Sequence, residues 1–133
     1  MKSNESNGES ILSEVKFIEH FGERILLIDF SKVSGTLSII ETAEEAMQIV
    51  RSSGQPHSIR GMLDFSGTPL NRAVRDSMKK MSKTNGPYMK SVAFVGLGTV
   101  LSPIFRGLLF LTKRTNHRVF NTRHEALDWL AEN

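Results

Sequence analysis

The sequence predicts an α/β domain with a mixed, mostly parallel sheet of four to five strands and the element order β-β-α-β-α-β-α-β-α. Three observations support this fold class. Short apolar runs alternate with amphipathic stretches of helical length, as they do in sheets whose parallel strands are joined by helices. Turn-forming residues separate the two kinds of segment. The chain has 133 residues, which is enough for one domain with a buried core.

The first two strands are predicted to form a hairpin. Apolar and polar side chains alternate over residues 14–20, which is the period of a half-buried strand. Residues 24–30 contain the continuous apolar run 25–28, which is typical of a strand buried on both faces. A turn at Phe21-Gly22-Glu23 joins the two segments, so this pair supplies the antiparallel part of the sheet.

The first helix is predicted over about residues 37–52, because apolar side chains recur there at spacings of three and four. Thr42 and Glu45 have the spacing of a capping box, so Thr42 is an alternative start of the regular helix. Gly54 and Pro56 follow the pattern and are expected to end the helix.

The second half of the chain repeats the alternation of strand and helix. Strands are predicted over residues 59–65, 88–95 and 117–120. Helices are predicted to start at the cap-and-proline pairs Thr68-Pro69 and Ser102-Pro103, and at the capping box formed by Thr122 and Glu125. The parallel strands are therefore expected to be joined by right-handed crossovers.

Composition limits the classes of function. The chain has no cysteine, which excludes disulfides, a thiol nucleophile and a thiolate metal site. Residues 1–12 are polar, lack the pattern of a signal peptide and are predicted to be a disordered tail before one domain at 13–133. No apolar run approaches the roughly 20 residues that cross a bilayer. We therefore expect a cytoplasmic protein without a transmembrane segment.

Charge is distributed unevenly along the chain. The first 50 residues carry four basic and nine acidic side chains, whereas the remaining 83 carry thirteen basic and five acidic ones. Such an asymmetry predicts a surface with an acidic and a basic part, which suits an acidic partner or a second copy of the chain. Ordinary solvated faces are the alternative interpretation.

Two similar segments follow predicted strands, namely Ile28-Asp29-Phe30-Ser31 and Leu63-Asp64-Phe65-Ser66-Gly67-Thr68. The carboxyl ends of parallel strands share one edge of a sheet, and ligands of α/β proteins usually bind there. The candidate switch or binding loop therefore comprises Asp29, Ser31, Asp64, Ser66, Gly67 and Thr68. The same residue types also suit an ordinary turn between a strand and a helix, because their oxygens satisfy free N–H groups.

Three features together resemble the STAS superfamily, the domain type of anti-sigma-factor antagonists. They are the Asp64-x-Ser66-Gly67 loop, the short β-α alternation, and the ending VFNTRHEALDWL at residues 119–130. The ending is especially similar to a bacterial STAS-like group of poorly defined function. Residues 28–31 and 88–96 also look similar to that group, so the resemblance covers about residues 15–130.

The resemblance implies a regulatory or docking module that is not an enzyme and carries no cofactor. Such modules are often controlled by phosphorylation of a Ser or Thr after the Asp. The implied partners are a regulatory kinase or a target protein, or a second copy in a dimer. This chain departs from the family pattern, because Phe65 occupies the position directly after Asp64 and Ser66 comes one residue later.

A basic stripe is predicted on the second helix. Arg72, Arg75, Lys79 and Lys83 are three and four residues apart, and Lys80 is beside them. The stripe suits an acidic partner, phosphates or anionic lipid, or it is a solvated helix face. No aromatic side chains interleave with it, so nucleic acid is not an expected partner.

The residues that carry catalytic or metal chemistry elsewhere form no motif here. The four histidines lack the spacing of a metal site, and the chain has no Gly-x-Ser-x-Gly segment of a hydrolase. Gly96-Leu97-Gly98 lacks the third glycine of a dinucleotide fingerprint and suits a tight turn. We assign no catalytic residue and no metal ligand.

An alternative function arises from residues 101–111, which are apolar nearly all round a predicted helix. Such a helix is either wholly buried, or presents an apolar strip to a dimer partner or a ligand. The chain is then a carrier or sensor of a small apolar or lipid-like molecule.

Overall fold

The computed structural model describes residues 14–98 and 116–133 and confirms the α/β class. The strands are β1 Val15–His20, β2 Glu23–Asp29, β3 Ile59–Asp64, β4 Met89–Val95 and β5 His117–Phe120. The helices are α1 Thr36–Ser53, α2 Arg72–Asn85 and α3 Arg123–Glu132, and a 3-10 turn, Gly86–Tyr88, precedes β4. The predicted N-terminal tail and the apolar helix predicted after Ser102 lie outside the described residues.

The five strands lie in the order β1-β2-β3-β4-β5, with β1 antiparallel to β2 and all other neighbours parallel. This arrangement confirms the mixed, mostly parallel sheet. Asp29 is the register partner of Asp64, and Asp64 is the register partner of Val95. The loops that follow β2, β3 and β4 therefore lie side by side, and together they form what we call the carboxyl edge.

Helices cover both faces of the sheet, and side chains of β2 pack against the helices on each face. Leu26 and Ile28 pack with the apolar side chains of α1 and α2, whereas Ile25 and Leu27 pack with α3. Successive side chains of a strand point to opposite faces, so a strand covered on both sides must be apolar throughout. The same alternation puts Asp29 on the α3 face of the sheet.

The structure confirms the helix predicted over about residues 37–52 as α1 and corrects two predicted caps. Thr42 does not cap α1, since it lies inside the helix and its hydroxyl donates to the Ser38 carbonyl at 2.9 Å. Thr68 does not cap α2, which begins four residues later behind Asn71. The Asn71 side chain accepts from the Val74 N–H at 3.0 Å. Both threonines carry the side-chain chemistry of a helix cap, but neither caps a helix, because each hydroxyl donates to another backbone carbonyl.

The predicted cap of the last helix is confirmed. The Thr122 hydroxyl oxygen accepts from the Glu125 N–H at 3.2 Å and contacts the Glu125 carboxylate at 3.1 Å. This cap makes Arg123 the first residue of α3. The start of α3 is thereby fixed close to the carboxyl edge.

Candidate functional site

Two aspartates and one arginine form an ionic cluster at the carboxyl edge. Arg123 Nη2 lies 2.9 Å from Asp29 Oδ2, and Arg123 Nε donates to Asp64 Oδ2 at 2.6 Å. The two aspartate side chains are only 3% and 6% exposed, whereas the Arg123 side chain is 40% exposed. We call these three residues the arginine cluster. Its carboxylates are buried, and its cation faces the solvent in part.

The fold explains why these three residues meet. The register of β2 and β3 makes the two aspartates neighbours on the α3 face of the sheet. Like charges in adjacent strand positions repel each other, and burial increases the cost. Arg123 lies between them and donates a separate N–H group to each carboxylate, which compensates both charges with one guanidinium.

Each aspartate also fixes the serine two residues further along. The Ser31 N–H donates to Asp29 Oδ1 at 3.0 Å, and the Ser66 N–H donates to Asp64 Oδ1 at 2.9 Å. These are side-chain turns of the kind that Asp commonly makes with its own backbone. The two predicted motifs are therefore equivalent in backbone structure, and the structure brings both to one site.

The two serine hydroxyls differ. The Ser31 hydroxyl donates to the Asp29 carboxylate, which already holds its N–H group. Ser66 is also exposed, but its hydroxyl makes no hydrogen bond to any residue in the described ranges. Of the two hydroxyls, only that of Ser31 is engaged by its own aspartate.

The position directly after each aspartate is part of the core. Phe65 is 2% exposed, and its ring stacks on that of Phe30 with centroids 5.2 Å apart and an interplanar angle of 11°. On its other side lies the Phe94 ring, 6.3 Å away between centroids. The position at which the resemblance implies an acceptor hydroxyl thus holds a buried aromatic ring, and Ser66 is the first exposed hydroxyl after Asp64.

The loop after β3 is held from two further directions. The Thr68 hydroxyl is buried and donates to the Phe30 carbonyl at 3.3 Å, which ties this loop to the end of β2. Gly96, with a φ of 81°, passes so close to Ser66 that a Cβ on Gly96 would overlap the Ser66 N and Oγ atoms. Gly67, by contrast, has open space around its Cα. The backbone of Ser66 is therefore confined, although the residue as a whole is exposed.

The environment favours the charged forms of Asp29 and Arg123. Burial alone raises the pKa of Asp29, but hydrogen bonds from Ser31 and Arg123 and the Arg123 charge outweigh it, so this pKa lies below its ordinary value. Burial lowers the pKa of Arg123, but hydrogen bonds and charges from Asp64 and Asp29 raise it above the ordinary value. Two carboxylates then share one cation, which leaves one negative charge uncompensated within the cluster.

The lowered pKa of Asp29 predicts a specific loss of stability in acid. A carboxyl whose pKa is lower in the folded state stabilises the fold above its unfolded pKa of about 3.9, and this contribution is lost as the pH falls through the folded value. We expect the difference in free energy of unfolding between the wild type and Asp29→Asn to shrink below about pH 4.

Urea denaturation between pH 3 and pH 7 measures this difference. Asp76→Asn, which removes an exposed carboxyl from α2, is the matched control. A wild-type advantage over Asp29→Asn that is equally large at pH 3 and pH 7 would contradict the ionic role of Asp29.

The predicted basic stripe is exposed along α2 but extends away from the arginine cluster. Arg72 and Arg75 lie near the start of α2, at the carboxyl edge, and the Arg75 guanidinium donates to the Leu70 carbonyl at 2.7 Å. Lys79 and Lys83 follow on the same helix, and a rise of about 1.5 Å per residue puts Lys83 roughly 16 Å from the start. Only the first half of the stripe therefore adjoins the candidate loop.

Sequence reasoning missed Arg123, although it contributes most to the site. Arg123 lies inside the predicted capping box of Thr122 and Glu125, and nothing in its local sequence indicates a distant partner. The signal in the sequence is indirect, since two aspartates at the ends of buried strands favour a cation nearby.

Three of the four histidines contact side chains outside the candidate loop. His20 and His124 contact the two oxygens of Asp128, at 2.7 and 3.4 Å, and His117 contacts Asn116 at 2.8 Å. In the part of the chain that the structure covers, no group of three or more metal-ligating side chains is placed to bind an ion. Over the same residues, no helix combines the length and apolarity needed to span a membrane.

Comparisons of the chain with protein-family models, with curated proteins and with solved structures give no match. Any functional assignment therefore depends on the geometry described above.

Proposed function

We propose that this chain is a non-enzymatic, STAS-like regulatory module of the bacterial cytoplasm that binds a protein partner through its carboxyl edge. Phosphorylation of Ser66 controls this binding. The observation that carries the proposal is the state of Ser66, an exposed residue whose hydroxyl makes no hydrogen bond among the described residues while its backbone is fixed by Asp64 and Gly96.

A loop with a fixed backbone presents the same surface, and the same acceptor oxygen, each time a kinase or a binding partner meets it. Ser31 is less suitable, because its hydroxyl is already engaged with Asp29. We therefore assign the modification to Ser66 and not to Ser31.

A phosphate on Ser66 would change the charge of the edge strongly. It adds about 1.5 to 2 negative charges beside the Asp64 carboxylate. The N-terminus of α2 would not absorb this charge directly, since that helix starts only at Arg72 and its cap already binds the Val74 N–H. A partner that binds the unmodified edge would thus be repelled by the modified one.

The chemistry of the cluster supports a binding role over catalysis. The carboxylates accept hydrogen bonds from Arg123 and from the two serine N–H groups, and the lowered pKa of Asp29 makes that residue a poor proton donor or base at neutral pH. Arg72 and Arg75, exposed beside the loop, favour a partner with acidic side chains.

Phosphopeptide mapping tests this proposal. The protein is purified from its own host with phosphatase inhibitors present, and the peptide that contains Ser66 is examined by mass spectrometry. We expect a fraction with about 80 Da of added mass, as one phosphate requires, and we expect Ser66→Ala to lose it while Ser31→Ala keeps it.

Two outcomes would contradict the proposal. One is an unmodified Ser66 peptide under every growth condition tested. The other is a non-covalent mass excess in native mass spectrometry of the gently purified protein, which would favour the carrier of an apolar ligand instead.

A further inference from the structure

We propose that a phosphate on Ser66 acts through Arg123 and weakens the attachment of α3 to the sheet. This inference rests on the proposed function, and it adds an output to it: the modification changes the position of a helix as well as the charge of a surface.

Ser66 and Arg123 both contact the carboxylate of Asp64. The Ser66 N–H donates to one oxygen of Asp64 and Arg123 Nε donates to the other, at 2.9 and 2.6 Å. Ser66 and Arg123 are therefore separated by a single carboxyl group. A phosphate on Ser66 would add an anion beside the Asp64–Arg123 ion pair, and arginine binds phosphate with two parallel hydrogen bonds.

Both placements of Arg123 leave negative charge uncompensated. If Arg123 stays on the two aspartates, the same guanidinium faces three anionic groups, in a cluster that already has an excess negative charge. If Arg123 turns to the phosphate, two carboxylates that are 3% and 6% exposed lose their cation. Removing one partner from a buried ion pair is strongly destabilising. Either arrangement weakens the contact that fixes the start of α3.

Of the described helices, α3 has the fewest buried side chains. It has two, Ala126 and Leu130, whereas α1 has six and α2 has five. Leu127 and Trp129 are partly buried and pack on the same apolar cluster beneath the helix.

The arginine cluster fixes the first turn of α3 to the sheet, and a second contact joins Asp128, whose side chain is 41% exposed, to His20. Segments with few buried apolar contacts open locally at a lower free energy than the core, so loss of the Arg123 contact is expected to loosen the start of α3.

Opening of α3 would uncover apolar surface. The side chains beneath it are Ile25, Leu27, Met62, Ala93 and Val95, which lie on one face of the sheet. The modified protein would therefore differ from the unmodified one in exposed apolar area as well as in charge.

Hydrogen exchange on the full chain tests the inference. Phosphoserine is incorporated genetically at position 66, and the exchange of the α3 amides is measured by mass spectrometry. We expect exchange in α3 to become at least about tenfold faster, because exchange by local opening follows the opening equilibrium. Phosphoserine at Ser58, an exposed position in the loop before β3, is the matched control and should leave α3 unchanged.

Arg123 variants identify the route. In Arg123→Gln, α3 should exchange faster without any phosphate, and phosphoserine at position 66 should add little. Arg123→Lys is the second variant if the glutamine variant folds poorly, because it keeps the charge but loses the two-point contact with the carboxylates, and the phosphate effect on α3 should then be smaller than in the wild type. Unchanged α3 exchange in the phosphorylated wild type, or a phosphate effect that is as large without Arg123 as with it, would overturn the inference.

Failure of this inference is distinguishable from failure of the proposed function. Because phosphoserine is incorporated genetically, the response of α3 is measurable even if the host never phosphorylates Ser66. That absence would defeat only the proposed function.

Discussion

Replacing Arg123 by alanine is expected to lower the free energy of unfolding by about 2–3 kcal/mol, less than for a fully buried pair because the guanidinium is partly exposed. The reason is the pair of carboxylates left behind. Both are almost completely buried, they are register neighbours, and no other cation contacts them among the described residues. Urea denaturation at neutral pH measures the change.

Two comparisons make this expectation specific. Lys79→Ala removes a cation from an exposed helix position and should change the free energy of unfolding by less than about 0.5 kcal/mol. In a variant that carries both Asp29→Asn and Asp64→Asn, Arg123→Ala should lower the free energy of unfolding much less than in the wild type, because the two buried charges are gone. An equal cost in both backgrounds would show that Arg123 stabilises the fold by packing and not by charge.

Replacing Gly96 by alanine is expected to destabilise the protein by about 2–4 kcal/mol and to displace the Ser66 loop. Two causes add together. The positive φ of Gly96 is unfavourable for any residue with a Cβ, and that Cβ would overlap the backbone of Ser66 as well as its hydroxyl. The backbone atoms cannot turn aside as a flexible side chain can.

Gly67→Ala separates the two causes. Gly67 also has a positive φ, at 70°, but a Cβ there meets nothing within 4 Å. We expect Gly67→Ala to cost only about 1–2 kcal/mol, the strain of the left-handed backbone alone. Thermal unfolding of both variants measures the difference, and equal melting temperatures would show that the close approach of Gly96 to Ser66 has no energetic consequence.

The features of the fold that depend on neighbouring residues were predictable from the sequence. The run at residues 25–28 is apolar because both faces of β2 are covered, and that pattern is local. The same holds for the cap at Thr122, since the hydroxyl and its partner are three residues apart. The Asp29 and Asp64 motifs were predicted to share an edge from the rule that parallel strands end together.

The features that depend on distant partners were not predictable. Thr68 has the chemistry of a helix cap, but its hydroxyl bonds to Phe30, which is 38 positions away, and Asn71 caps the helix instead. Arg123 reaches Asp29 and Asp64 only after the chain has passed through the whole sheet and returned as α3. Which serine keeps a free hydroxyl also follows from three-dimensional geometry, since both motifs read Asp-Phe-Ser.

The central claim is that the phosphate on Ser66 controls what the carboxyl edge binds. Quantitative affinity capture tests it most directly, with the unmodified chain and the chain carrying phosphoserine at position 66 as baits in lysate of the host, and phosphoserine at Ser58 as the control. We predict at least one protein that the unmodified and Ser58-modified baits recover equally and that the Ser66-modified bait loses. Identical sets of captured proteins for all three baits would contradict the claim.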